Sequence, residues 1–199
     1  MIASVTVVLA AGAGRRLGGV NKALLRTRTG ATYLEAIAAT ARAAGSSHLV
    51  VVTGAPHHAE VGPAAEVLGA VVAINPAPDR GMASSVAVGF GCAAASFDRC
   101  QVALLWPVDH PAVAVDTVAR LLASPAMISV PTFAGRGGHP AAFRRAVWPE
   151  LIACEERGDG ARAVVRADPG RVARLEVDDA GVVRDVDHPG DLASGAGRP

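Results

Sequence analysis

The sequence is short of the features that would tie it to an extracellular, membrane or nucleic-acid setting. It has only three cysteines in 199 residues, Cys92, Cys100 and Cys154. They are scattered and odd in number, which argues against a disulfide framework, and no C-x-x-C pair marks a zinc site. A reducing cytoplasm is the simplest setting. The formal net charge is +1, so no global field draws the chain to nucleic acid or to an anionic membrane, and any anion site must be local. No apolar run is long enough to span a bilayer. The opening MIASVTVVLAAG is apolar and ends in small residues, but it lacks a charged leader and its run is too short, so a signal peptide is rejected. Repeats and low-complexity tracts are also missing, leaving no sign of a second domain. Residues 1–193 are expected to form one domain, with 194–199 a frayed tail. Histidines are sparse: His57 and His58 are adjacent and cannot face one metal from one helix. His139 alone lies in a segment of functional interest.

What is present is apolar, at 51% of residues, with much of it alanine and valine. Continuous apolar runs over Val5–Leu9, His48–Thr53, Val71–Ile74, Val102–Trp106 and Met127–Pro131 predict buried strands. Late strands are expected at Val172–Val177 and Val182–Val186. Helical spacing falls between them: Thr32 caps a helix to about Ala44 with Glu35 as its capping-box partner, and further helices are expected over His58–Leu68, Ser84–Ala95, Val115–Ala123, Arg144–Cys154 and Ala161–Arg166. The alternation predicts a three-layer α/β/α, Rossmann-like fold with a mostly parallel sheet. Ligands of such sheets lie beyond the carboxyl ends of the strands, where Gly12, Gly54, Asn75 and Asp109 all fall.

The stretch VTVVLAAGAGRRLGGVNK, Val5 to Lys22, organises the rest. A buried strand running into a glycine-rich loop leaves backbone N–H groups free, and Arg15, Arg16 and Lys22 add positive charge. Both favour a polyanion; the plainer alternative is a strand-to-loop turn with solvated arginines. No lysine sits in the Walker frame, and Leu17 occupies the third glycine of a dinucleotide fingerprint. The loop therefore suits a triphosphate gripped by amides and side chains. Asp109, in WPVDHP after a buried strand, is placed to bind Mg²⁺, which takes one or two carboxylates plus phosphate oxygens. Its alternative is a strand-ending cap of the next helix. Ser84 and Ser85 open a helix, where hydroxyls and free N–H groups bind phosphate or ribose, or simply cap.

The loop LAAGAGRRLGGVNK resembles the signature L-A-[AG]-G-x-S-x-R-M-G-x-x-K of nucleotidyltransferases with the nucleotide-diphospho-sugar transferase fold. Within that fold it is most similar to the molybdenum cofactor cytidylyltransferase and guanylyltransferase group. Gly14 stands where the pattern has serine and Leu17 where it has methionine. GGVNK is more like the guanylyltransferases, and Ala10-Ala11 more like the cytidylyltransferases. VDHP resembles the family's D-x-P, whose aspartate binds the metal, with His110 where cytidylyltransferases often carry glutamine. NPAPDRGMASSVAVGF resembles N-x-x-x-x-x-G-[ML]-x-x-S-[LV]-x-x-G. GRGGHPAAF, with Gly138, His139 and Pro140, resembles the loop that receives the second substrate. GDGAR resembles G-D-x-G-A-R. DVDHPGDL resembles D-[IV]-D-T-P-E-D-L, which makes Asp187 the second metal ligand, with Asp185 in support.

The resemblance implies a cytoplasmic, Mg²⁺-dependent nucleotidyltransferase that passes a nucleotide, CMP from CTP, to a molybdopterin-type phosphate and releases pyrophosphate. Leu9, Ala10, Ala11, Gly12, Gly14, Arg16, Lys22, Gly54, Asn75, Ser84 and Ser85 would bind the nucleotide. Arg16, Lys22 and Asp109 would be catalytic, and a molybdoenzyme or its chaperone would be a protein partner. Alternatives are a sugar phosphate or other phosphorylated acceptor, a non-catalytic cofactor-handover protein, and an NAD-linked oxidoreductase, the last disfavoured by the failed fingerprint.

Overall fold

The computed structural model describes residues 3–14, 18–157 and 159–185. Its centre is an eight-stranded sheet built first from the continuous apolar runs. β1 (Ser4–Leu9) and β4 (Val102–Pro107) are buried at every position. They lie side by side and parallel, with Val7 opposite Leu105. On the other edge of β1, β2 (His48–Gly54) and then β3 (Val71–Asn75) continue the parallel array. Strands covered on both faces need no polar alternation, which is why β1, β2 and β4 read as apolar runs; β3, at the edge of the sheet, is partly exposed.

Side-chain alternation along each strand divides the core in two. Val8 of β1, Ala10 just beyond it, and Leu104 and Trp106 of β4 face one layer, made by α1 (Tyr33–Ala43), α2 (His58–Val67) and α4 (Val115–Ala123). Val5, Val7 and Leu9 face the other, where Phe90 of α3 (Met82–Ser96) and Trp148 of α5 (Trp148–Ile152) pack edge to face at 5.9 Å. Val164 of α6 (Ala161–Ala167) joins this second layer. The three-layer, mostly parallel architecture expected from the sequence is present. The capping box of α1 is present as well: Glu35 N–H donates to Thr32 Oγ1 at 3.2 Å, and Thr32 N–H donates to Glu35 Oε2 at 2.6 Å.

Beyond β4 the sheet changes sense. β7 (Ala141–Arg144) runs antiparallel between β4 and β5 (Ile128–Phe133). The short β6 (Arg136–Gly137) pairs back on the end of β5, and β8 (Val172–Glu176) is parallel to β5. Two expectations are corrected here. The helical spacing read over Arg144–Cys154 yields α-helix only at Trp148–Ile152, preceded by a 3-10 turn at Arg145–Val147. The late strand expected over Val182–Val186 is instead a 3-10 turn at Ala180–Val183, with Val186 outside the described residues. The cause is Asp179. Its Oδ1 accepts from Gly181 N–H at 2.9 Å, while its Oδ2 accepts from Ala114 N–H at 2.9 Å and Thr117 Oγ1 at 2.8 Å. One carboxylate thus tightens the turn and caps α4. Among the described residues no helix is long and apolar enough to cross a membrane.

Candidate functional site

A cleft of about 340 Å³ opens past the carboxyl ends of β1 and β4. The chain leaves β1 toward β2 on one side, and β4 lies on the other. This is the point where an open α/β sheet leaves room for a ligand. Leu9, Ala10 and Ala11 form its floor, and Gly12 and Gly14 its rim. Gly12 is exposed, and a β-carbon there would meet nothing within 4 Å. Gly14 is different: its φ is +61°, and a β-carbon would come 2.0 Å from the carbonyl oxygen of Val20. The serine of the family pattern would therefore collide with the Val20 carbonyl, and Gly14 O itself accepts from Gly19 N–H at 3.0 Å.

Lys22 begins a 3-10 turn, Lys22–Leu24, whose preceding residue Asn21 accepts from Ala23 N–H and donates to Glu60 on α2 at 3.1 Å. From this turn Lys22 Nζ donates to Asp109 Oδ2 at 3.1 Å. The two side chains are only 16% and 22% exposed. Asp109 is held by the turn after β4: Val108 N–H donates to Leu9 O, and the buried Trp106 indole N–H donates to His110 O at 2.9 Å. The cleft therefore joins a cation and a carboxylate, each carried on a turn tied down by hydrogen bonds.

The segment Gly138–Pro140, expected to receive the second substrate, lies near Asp109. Gly138 N–H donates to Pro131 O, and His139 N–H to Val182 O, both at 2.8 Å. A β-carbon at Gly138 would come 2.2 Å from Val182 O, so this position is closed to any other residue without a shift. The His139 ring lies 5.0 Å from that of His110, whose Nε2 is 3.8 Å from Asp109 Oδ1. The Nδ1 atoms of both rings are buried without a hydrogen-bond partner. Burial, above all, lowers the His139 pKa to about 4, with His110 and Arg162 acting in the same direction and Asp109 opposing them.

The expected site residues divide accordingly. Leu9, Ala10, Ala11, Gly12, Gly14, Lys22, Ser85 and Asp109 all line the cleft. Gly138, His139 and Pro140 do not, but His139 reaches its acidic edge through His110. Gly54 packs under the Asn75 carbonyl and Pro78. Asn75 is buried and turned toward Ser84 and Ser85, and Ser84 donates to backbone carbonyls of its own turn. Arg16 and Asp187 lie outside the described residues. Sequence reasoning did not assign Pro78, Met82, Pro107 and Val108, which give the cleft apolar walls. The signal available for Met82 was its place in the RGM segment, and it is 61% exposed beside the cleft.

Among the described residues no group of three or more His, Cys, Asp or Glu could hold a metal ion. Asp109 offers the cleft a single carboxylate, beside Lys22. That donor set fits Mg²⁺, which keeps waters and draws its remaining ligands from substrate phosphates. It would not fit a metal that needs an all-protein cage.

The family model described as the MobA-like NTP transferase domain matches residues 6–174. The nicotine blue oxidoreductase of Paenarthrobacter nicotinovorans is 35% identical over 190 residues, covering 91% of this chain and 90% of that protein. The solved structure of the Rv0371C protein of Mycobacterium tuberculosis H37Rv in complex with manganese is 29% identical. It has a TM-score of 0.76 and covers 96% of this chain and 97% of that one. A nucleotidyl transferase from Methanothermobacter thermautotroptrophicus has a TM-score of 0.79 at 24% identity, with 96% and 95% covered, a likeness of fold.

Proposed function

The chain belongs to the MobA-like NTP transferase domain family and is a nucleotidyltransferase, and we propose that it transfers CMP from CTP to a phosphorylated acceptor of the molybdopterin class. The observation that carries this reading is the Lys22–Asp109 pair at 3.1 Å in the cleft at the sheet's switch point. A triphosphate with its cation needs one group of each sign in that place. An acceptor phosphate oxygen attacks the α-phosphorus in line, a new P–O bond forms, the α–β bridge breaks, and pyrophosphate leaves. The chain's part is positioning and charge. The Gly12–Gly14 amides, Arg16 and Lys22 grip the triphosphate, and the apolar walls at Pro78 and Val108 enclose the base. Asp109 and Asp187 would hold Mg²⁺, which neutralises charge on the phosphates. The manganese complex of the mycobacterial relative supports a divalent ion. Gly138, His139 and Pro140 receive the acceptor, and a molybdoenzyme or its chaperone takes the product in the cytoplasm.

Pyrophosphate release from each of the four NTPs, with molybdopterin and a panel of sugar phosphates, tests the reading. Release dependent on CTP and a pterin phosphate supports it, and release only with a sugar phosphate reassigns the acceptor. A second reading has one specific observation behind it, the oxidoreductase name of the Paenarthrobacter relative. It calls for a redox reaction of nicotine blue or a similar dye in the same cleft. Oxidation of NADH or NADPH by the purified chain with such a dye, and no pyrophosphate release, would favour it. The loop's lack of a dinucleotide fingerprint weighs against it.

A further inference from the structure

The cleft contains a hydrogen-bond chain whose direction can be worked out atom by atom. It begins at Ala77, whose backbone N–H lies 2.9 Å from Asn75 Oδ1. A backbone N–H only donates, so the Asn75 carbonyl oxygen must face it and the amide nitrogen must face the other way. There Nδ2 lies 2.9 Å from both Ser84 Oγ and Ser85 Oγ. The amide's two hydrogens are thus spent on two hydroxyl oxygens, and both serines are acceptors toward Asn75. Each must direct its own proton elsewhere. Ser84 donates to Gly81 O at 2.8 Å, with Ala77 O at 3.2 Å. Ser85 has no acceptor for its proton among the described residues. It is 6% exposed, and it lines the cleft.

We propose that Asn75 fixes the polarity of Ser85, so that Ser85 meets a bound nucleotide solely as a donor, at an atom that can accept but need not donate: a phosphate oxygen, a ring carbonyl or an unprotonated ring nitrogen. The inference rests on the nucleotide reading of the cleft and adds to it the sense of one contact. An exocyclic amine is rejected at this position, because amine hydrogens and the serine proton would oppose each other and leave a buried donor unmet. Asn75 is a positioning residue, acting through Ser85 without touching the ligand.

The test is calorimetric titration of CTP, of inorganic tripolyphosphate and of cytidine onto the full chain. Ser85→Ala should weaken CTP about tenfold, the scale of one hydrogen bond to a charged or buried acceptor. Asn75→Asp preserves shape but replaces donors by an acceptor, so the serine hydroxyls turn back to it. CTP should weaken to the same degree although the Ser85 hydroxyl is still present, and the double variant should be no weaker than either single one. Should the aspartate variant fail to fold, the near-isosteric pair Ser85→Thr and Ser85→Val decides: threonine keeps the donor and most of the affinity, whereas valine does not. Loss shared with tripolyphosphate places the contact on phosphate, and loss shared with cytidine places it on the nucleoside. Wild-type binding of CTP with unchanged affinity in Asn75→Asp, additive losses in the double variant, or valine binding as tightly as threonine would overturn the inference alone. A wild-type chain that binds no NTP would overturn the nucleotide reading itself, and this inference with it.

Discussion

Lys22 and Asp109 stand 87 positions apart in the chain and 3.1 Å apart at the base of the cleft. Neither half of that contact is free to wander: Lys22 sits on the Asn21-capped turn, and Asp109 sits in a turn whose next residue, His110, accepts at its carbonyl from the Trp106 indole. On the proposed reading, a metal–triphosphate would engage both ends at once, a phosphate oxygen meeting the ammonium group and the cation meeting the carboxylate.

Replacing Lys22 by alanine should leave the fold intact and cut turnover at least tenfold, about 1.4 kcal/mol of barrier. Circular dichroism together with pyrophosphate release checks this. Normal turnover in the folded variant would remove Lys22 from the triphosphate site.

Asp109→Asn preserves size and removes one charge. It should abolish divalent-ion-dependent pyrophosphate release while the chain stays folded, and Asp187→Asn should do the same more mildly. Equal metal dependence in wild type and Asp109→Asn would place the cation elsewhere.

Ala10 and Ala11 line the cleft and are buried, at 4% and 5% exposed; on the proposed reading their methyl groups would lie against the base, where a glycine would leave room for a purine. CTP should therefore outcompete GTP in a mixed-nucleotide assay. Preference for GTP would mean that the GGVNK spacing, and not the alanine pair, carries the choice.

His139 provides a pH prediction for the metal-free protein. Its ordinary value of 6.5 falls to about 4 on folding, so between those values the unfolded chain binds the proton and the folded one does not. Its contribution to stability is complete above about pH 6.5 and is lost as the pH falls toward 4. Urea midpoints across that window should decline in the wild type and decline less in His139→Gln, and the His139 ring signal in NMR should titrate near the lower limit. Parallel declines in the two proteins would count against it.

Asp179→Ala removes three accepted hydrogen bonds. Loss of a cap of this kind costs about 1–2 kcal/mol, to be read from the denaturant midpoint. An unchanged midpoint would show that solvent replaces the carboxylate at the start of α4.

The parallel half of the sheet was legible because β1 and β4, and β2 after its first residue, are buried throughout and read as largely apolar runs, and even the part-exposed edge strand β3 keeps the run Val71–Ile74. The α1 boundary was legible because Thr32 and Glu35 carry their own geometry. β7 was not: Ala-Ala-Phe-Arg has little intrinsic strand preference, and it becomes a strand by pairing with β4 and β5, residues distant in sequence. Val182-Val183 misled in the opposite sense, since two valines suggest a strand while Asp179 and Gly181 impose a turn. In the site, Lys22, Ser85 and Asp109 could be found from strand ends and motifs. The contact between His110 and His139 could not, because it depends on how a hairpin folds back across the sheet. Asn75 was found for its position, but the direction of its amide is visible only through the backbone N–H of Ala77.

The change of sense at β7 has an evolutionary consequence. The strands up to Pro107 are one parallel unit that carries the cleft, whereas Gly138–Pro140 arrives on an antiparallel hairpin tied to Val182. The hairpin is paired to β4 along β7, but at the edge of the cleft its tip meets the parallel unit through the His110 and His139 rings beside Asp109. A lineage can therefore redraw that tip while inheriting the parallel unit unaltered, so that what is met at the edge of the cleft diverges without the scaffold having to be reinvented.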